Sequence, residues 1–393
     1  MKKLLYISTA LPDKAVEKVK QKQVRFSSNA LNPISIFHNK IIDGVSLNYD
    51  EVTSIIGAPI SKKLYDILYF HEKGYKKNNI YYHMFHFLNL SGIKQLTIFL
   101  KTFFYVLWWN IVNIKHEKNI IIDGSYYIAM VATYFANFIC RSKIAAIIVD
   151  VYSFMYEPNN LTGIKKVISR IYRMTTSKID RFIFVTHYVE QLINKKNKPF
   201  MIMEGLIDIV DFEDTEVENF CLYAGGLHKI YGVDNLVKAF HETNVPFELH
   251  FYGNGDCVEM IKKISSIDSR IQYKGLVSHS ELLNIEQKAK LLINPRPVYG
   301  QLDTRFNFPS KLMEYMQSGR PVLTTRLLGI PSEYDELMFY FDNDSIEALK
   351  SRIIEVLSMS EVELKTIAKK AQRHVNENKN NIVVGKKISE LFG

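Results

Sequence analysis

Residues 294–334, NPRPVYGQLDTRFNFPSKLMEYMQSGRPVLTTRLLGIPSEY, hold this chain to an open α/β architecture more firmly than any other stretch. The apolar run 291–294 ends in Asn-Pro, the pattern of a buried strand breaking into a loop. Arg296 follows at once. After a polar loop, Phe308-Pro309-Ser310 leads into the helical pattern Lys311-Leu312-Met313-Glu314-Tyr315-Met316, with Ser310 placed to cap the helix start. Gly319-Arg320-Pro321 stops that helix, a new apolar run begins at Val322, and a Gly-Ile-Pro turn follows at 329–331. In open α/β sheets ligands bind at the C-terminal edge of the strands, so Arg296 is placed to meet one. Lys311 falls in the first turn of its helix, where the dipole disfavours a cation; a phosphate nearby would remove the conflict. Read alone, Lys311 and Glu314 at i, i+3 also fit a solvated surface pair worth ~0.3–0.5 kcal/mol.

The rest of the chain repeats the alternation of strand and helix. Strands are expected at 3–8, 64–70, 119–123, 144–150, 181–186 and 200–206, with a buried helix at 125–139 and a basic amphipathic helix at 163–176. Residues 13–45 are polar and hold no clear phosphate-binding glycine loop. A second set of strands is expected at 220–224, 247–252, 271–274, 291–294 and 339–342, with helices at 232–242 and 346–357 and a long charged helix at 361–392. This is a mostly parallel α/β fold with helices on both faces, divided into two domains. The opening MKKLLYISTA has too short an apolar run for a leader peptide and reads as a first strand.

Charge separates the two halves. Residues 1–200 hold 28 Lys and Arg against 13 Asp and Glu, whereas the remainder holds 22 against 28. A basic half suggests an anionic partner. No RRM, KH or zinc-finger pattern points to nucleic acid. The run 96–114, LTIFLKTFFYVLWWNIVNI, suggests a membrane surface instead. It admits three readings: a spanning helix, a buried helix, or an interfacial helix with Trp108 and Trp109 at headgroup depth. The three cysteines, Cys140, Cys221 and Cys257, form neither a zinc pattern nor a disulfide framework, as expected of a cytoplasmic protein.

The 294–334 segment resembles the donor-binding region of glycosyltransferase family 4-like retaining enzymes of the GT-B fold. It is similar in particular to the FPSK-x-x-EY-x-x-x-G-x-P variant of bacterial capsule, exopolysaccharide and lipopolysaccharide clusters. The resemblance covers roughly residues 220–360. It implies two Rossmann-like domains facing each other across a cleft: an acceptor domain at 1–205 and a donor domain at 206–369, with a final helix at about 370–393 returning to the first. It also implies transfer of a sugar from a nucleotide diphosphate sugar, most often a UDP-sugar, to a saccharide or undecaprenyl-diphosphate-linked acceptor, with retention of configuration and without a metal or other cofactor. The cytoplasm, with peripheral contact at the inner membrane face, is the implied location.

Residue by residue, Glu314 matches the second carboxylate of the family's Glu-x7-Glu motif, which holds the donor ribose. The first carboxylate would fall at Phe306, so that half is absent. The loop Gly225-Gly226 matches one that often carries an Arg and a Lys for the pyrophosphate; here those positions are Gly226 and Tyr231. The diphosphate is therefore assigned to Arg296 and Lys311, helped by the N–H groups of Gly225 and Gly226 and flanked by Pro309 and Ser310. Gly253 and Gly275 match the family's strand-end loops near the donor. Asp150 ends a strand where relatives carry an acid near the donor sugar; it could bind a hydroxyl or act as base, or simply be a structural cap. Asp123 and Glu157 are weaker candidates for that role. Asp342-Asn343-Asp344 mimics a metal-binding DXD but reads better as the cap of the helix at 346–357.

The same residues bear on other functional classes. A non-catalytic nucleotide-binding partner of another transferase would explain the missing carboxylate and cations, but not Arg296, Lys311 and Glu314. A GT-B epimerase needs carboxylates and a histidine around the sugar, which the sequence does not display. A nicotinamide oxidoreductase would need GxGxxG after the first strand.

Overall fold

The computed structural model describes residues 1–23, 31–151, 162–210, 215–298 and 303–393, and Glu157 lies outside them. The chain divides into two compact units, Met1–Leu206 with Asn381–Gly393, and Ile207–Asn380.

The first unit is built on an eight-stranded sheet. Its strands run in the order Phe200–Ile202, Arg181–Phe184, Lys143–Ile148, Glu117–Asp123, Lys2–Ser8, Glu51–Ile56, Ile80–Met84 and Tyr75–Lys77. All neighbours are parallel except the last pair, where Tyr75–Lys77 runs antiparallel as an edge. The central strands are continuous apolar runs such as Ile120-Ile121-Ile122, because helices cover both faces and alternation would put polar groups in the core. The chain winds outward in one direction after Lys2–Ser8 and in the other after Glu117–Asp123. A topological switch point therefore lies between these two strands.

The second unit carries a six-stranded parallel sheet ordered Ile271–Gly275, Glu248–Asn254, Phe220–Gly226, Leu291–Asn294, Val322–Thr325 and Phe339–Phe341. In chain order this is 3-2-1-4-5-6, the doubly wound arrangement with its switch point between Phe220–Gly226 and Leu291–Asn294. Leu236, Val237 and Phe240 from the helix Val233–His241 pack on this sheet with Ile353 and Val356 from Ile346–Ser358. Ser345 Oγ accepts the Ala348 N–H at the start of the latter helix, and the Ser345 N–H donates to Asn343 Oδ1 at 2.9 Å, so Ser345 is the cap that follows the Asp-Asn-Asp run.

Several local expectations are corrected. Of residues 64–70 only Tyr69–Phe70 is strand. Residues 13–45, read as polar, carry the helices Asp13–Lys20 and Leu31–Ser46; the second buries Ile41, Ile42 and Val45, an apolar face spread thinly among Asn and Ser. The strands Glu51–Ile56 and Ile80–Met84 were likewise not anticipated. The long helix expected over 361–392 is two helices, Glu361–Asn378 and Asn381–Glu390, broken at Lys379 (φ −122°, ψ 10°). The break is also where the chain passes from the second unit back to the first, at residue 381 rather than near 370.

The helix Ile93–Val112 has a buried face of Ile98, Thr102, Val106, Trp109 and Asn110 and packs on the apolar helix Tyr127–Cys140. Its outer face exposes Leu96, Leu100, Phe104 (61%), Trp108 (54%) and Ile111. Trp109 is only 2% exposed, which overturns its expected place at headgroup depth; one residue's rotation on the helix turns it into the core.

Candidate active site

At the switch point of the second sheet, two parallel strands end side by side. Phe220–Gly226 delivers Gly225 and Gly226, and Leu291–Asn294 delivers Pro295 and Arg296. The first strand end is held in place by Tyr315, whose hydroxyl accepts the Ala224 N–H at 2.9 Å, and by Tyr223, whose hydroxyl donates to the Gly226 carbonyl at 2.9 Å. The second is held by Asn294, which donates to Thr324 Oγ1 at 2.9 Å.

Lys311 reaches into this corner from the helix Lys311–Gln317. A Cβ on Gly225 would stand 1.8 Å from Lys311 Nζ, so the ammonium rests against the glycine's α-carbon, at a backbone φ of +141°. The same ammonium lies 4.9 Å from the centre of the Tyr223 ring and 5.9 Å from that of Tyr315. Burial pulls its pKa down to about 8, against the opposing pull of Glu286 and Glu314. Among the described residues it forms no hydrogen bond and no ion pair at contact distance. Arg296 lies with its guanidinium 5.5 Å from the centre of the Tyr231 ring. Its Nε is buried without a hydrogen-bond partner among the described residues, and burial works against its charge. Two cations thus stand at one strand edge, packed on aromatic rings rather than on carboxylates.

Glu314 lies one turn on from Lys311, with His279 Nε2 at 3.7 Å from its carboxylate. Pro309 is buried and Ser310 exposed. Ser310 does not cap the helix: at φ −52°, ψ −28° it is already helical, so its Oγ cannot turn back to the N–H groups of the first turn. Gly253 pairs in register with Gly225, and a Cβ there would meet the Gly225 carbonyl at 1.8 Å. Gly275, by contrast, has open space beside its α-carbon. Phe306 occupies the short 3-10 turn Thr304–Phe306. The structure therefore gathers Gly225, Lys311 and Arg296 around Tyr223 and Tyr231, leaves Gly275 at the periphery, and keeps Asp150 in the other unit.

Sequence reasoning missed His279 and Glu286. Glu286 is 1% exposed, its Oε2 has no partner, and burial together with Glu314 raises its pKa well above the ordinary carboxyl value, while Lys311 pulls the other way. Nothing in the run His279–Lys288 distinguishes this Glu from its solvated neighbours, because only the approach of Lys311–Gln317 encloses it.

In the first unit, Asp123 ends a strand at the switch point. Its carboxylate accepts from the Ser125 N–H at 2.9 Å and lies 3.4 Å from His38 Nε2, and His38 Nδ1 is 2.7 Å from the Tyr6 hydroxyl. These three side chains are buried, and burial alone would raise the Asp123 pKa; His38 and Ser125 hold it below the usual value. His38 comes from the helix Leu31–Ser46, so no local motif links it to Asp123. Asp150 lies just beyond the end of the neighbouring strand, where desolvation of its carboxyl and the Asp123 charge raise its pKa against the pull of His38.

Residues 218–359 match the family model for group 1 glycosyl transferases. The solved structures extend the likeness to the whole chain. Sucrose-phosphate synthase from Thermosynechococcus elongatus aligns with a TM-score of 0.66 at 14% identity, over 100% of this chain and 98% of that one. HepE from Anabaena, solved with UDP, aligns with a TM-score of 0.65 at 14% identity over 99% of both. The pneumococcal O-GlcNAc transferase GtfA, with UDP and GlcNAc, gives 0.63 at 13% identity over 100% and 98%. The fold is GT-B. The domain match supports a glycosyltransferase, and the structural likenesses, at these identities, speak to the fold alone. No curated protein matches the chain by sequence.

Proposed function

We propose that this protein transfers a sugar from a UDP-sugar to a saccharide or lipid-linked saccharide acceptor in the assembly of a bacterial surface polysaccharide, with retention of configuration. The observation that carries the reading is the Lys311 ammonium seated on the α-carbon of Gly225, beside the Arg296 strand end, at a sheet switch point. Two desolvated cations, neither in an ion pair at contact distance, are costly unless an anion arrives to meet them, and Glu286 and Glu314 offset only part of that cost at Lys311. A diphosphate supplies that anion: Arg296 offers a fork of donors and Lys311 a point charge. Both would stabilise the charge that develops on the leaving diphosphate, so no metal is needed for that task. HepE and GtfA were solved with UDP, which fits the same nucleotide here. Glu314 is assigned to the donor ribose, and Asp150 to the acceptor side of the reaction.

A cytoplasmic protein resting on the membrane's inner face completes the proposal. The outer stripe Leu96, Leu100, Phe104 and Ile111 is exposed, as are Phe138 and Ile139 of the packed neighbour helix. Lys94, Lys101, Lys115 and Lys118 lie in or beside the helix along the chain, in a half that carries a large positive excess. Ile93–Val112 is long and apolar enough to cross a bilayer by composition, but its inner face belongs to the core of the unit, which favours lying on the surface.

The test is a thermal-shift screen with UDP, GDP, ADP and TDP, with and without EDTA, on wild type and Lys311→Ala. Stabilisation by UDP that survives EDTA and disappears in the variant is expected. No shift with any nucleotide would withdraw the phosphate roles of Arg296 and Lys311.

A further inference from the structure

A second cavity lies in the first unit, between its outer strands and the C-terminal half of the helix Ile93–Val112, and encloses about 690 Å³. That volume is in the range of small-ligand sites. Its walls are unusually aromatic. Tyr105 stacks on His83 at 4.9 Å and meets Trp108 edge-on at 5.3 Å. Across the opening Tyr81, 41% exposed, presents its ring from the strand Ile80–Met84, with the Lys76 ammonium 4.7 Å above that ring. Among these rings the cavity also holds a fixed polar pair, Lys3 Nζ to Glu51 Oε1 at 3.2 Å, with side-chain exposures of only 13% and 29%.

The chemistry selects the occupant. A hydrocarbon chain would strip water from the Lys3–Glu51 pair and offer nothing to its remaining donor and acceptor positions. A phosphate would meet the Glu51 carboxylate, and the Lys3 charge is already balanced by it. A neutral polyhydroxyl compound satisfies both parts. The slightly positive C–H face of a pyranose ring packs on the negative face of an aromatic ring. Adjacent hydroxyls can then accept from Lys3 and donate to Glu51. We propose that this cavity is a binding site for a neutral saccharide chain, separate from the site of transfer. Lys3 and Glu51 pair near the N-terminal ends of their strands, whereas Asp123 ends its own strand at the opposite edge of the sheet. A seven-residue strand such as Lys2–Ser8 spans ~20 Å, so the cavity and that edge are far apart. As a role, this rests on the transferase reading: the cavity retains the distal part of an oligosaccharide acceptor. As a binding site it stands by itself.

The experiment uses a property of the chain. Its two tryptophans are Trp108 and Trp109, and both line this cavity, so intrinsic tryptophan fluorescence reports on it directly. The full-length protein would be titrated with maltohexaose, cellohexaose and chitohexaose, and separately with phosphatidylglycerol vesicles. At least one oligosaccharide is expected to give a saturable change. Trp108→Ala, read through Trp109, and Tyr81→Ala should each weaken that affinity at least tenfold, and Trp108→Phe should restore part of it. The thermal shift with UDP should be unchanged in all three variants, which also shows that they are folded. Three outcomes overturn the proposal: no saturable response to any oligosaccharide, undiminished affinity in Trp108→Ala and Tyr81→Ala, or a response to vesicles alone, which would assign the rings to the membrane. Oligosaccharide binding without any UDP shift would support the cavity and remove the donor reading beneath it.

Discussion

At the scale of single residues, the second unit turns on Lys311. Replacing it with Ala should cost ~2–4 kcal/mol of transition-state stabilisation, read as a fall in kcat/KM of the UDP-sugar reaction. Near-normal turnover would dismiss the assignment. Its titration gives a second test. Burial lowers its pKa from 10.5 to about 8, so the unfolded chain holds this proton more tightly than the folded one. Between about 8 and 10.5 that difference makes folded stability rise with pH. Donor binding runs the other way, since it needs the ammonium. UDP affinity should fall as pH rises through the Lys311 pKa, and Lys311→Arg, charged throughout, should flatten the profile of Kd against pH. A flat profile in the wild type would contradict the role. Gly225→Ala would put a methyl group on the ammonium at a φ that disfavours any side chain, and should weaken UDP binding as strongly as losing Lys311 does. Glu314→Gln should raise the donor KM more than it lowers kcat, and a wild-type KM would exclude the ribose contact.

At the scale of elements, the helix Ile93–Val112 carries two jobs on two faces. Its inner face fixes the neighbouring helix through Val106 and Trp109, and its outer face is free of such duty. Phe104→Ser with Leu100→Ser should therefore change stability by no more than ~0.5 kcal/mol per site. The pair should nevertheless reduce co-sedimentation with anionic vesicles, if the surface reading holds. Equal sedimentation of variant and wild type would refute it. The sequence made the apolar length of this helix plain but could not say which tryptophan faced inward. The helical period places 105, 108, 109 and 112 within one arc, and the neighbour helix Tyr127–Cys140 alone decides where that arc is covered.

At the scale of the molecule, the last helix closes the first unit. Asn381–Glu390 crosses Leu31–Ser46 so tightly that a Cβ on Gly385 would stand 2.2 Å from the Gly44 backbone, and one on Gly44 1.9 Å from the Asn381 carbonyl. Lys143 Nζ donates to the Phe392 carbonyl at 2.6 Å and Arg181 Nε to that of Leu391 at 2.6 Å, tying two strands to the chain's end. Gly385→Ala should destabilise the protein by ~1–3 kcal/mol, as overpacking of a close contact does, measurable by urea unfolding. An unchanged midpoint would mean that the two helices part without cost.

The alternating strand and helix pattern and its parallel α/β class were legible in the chain, as was the short segment that carries Arg296, Lys311 and Glu314, because apolar period, Gly-Pro punctuation and a local motif are properties of short windows. The tertiary structure alone decided the rest. It drew His38 across to Asp123 from an element with no motif, enclosed Glu286 beneath Lys311, turned Trp109 inward, and broke the last helix at Lys379 so that its two pieces serve different units. Each of these depends on which distant surface a side chain meets. Desolvation, pairing and close backbone approach are set by that surface, and no window of sequence contains it.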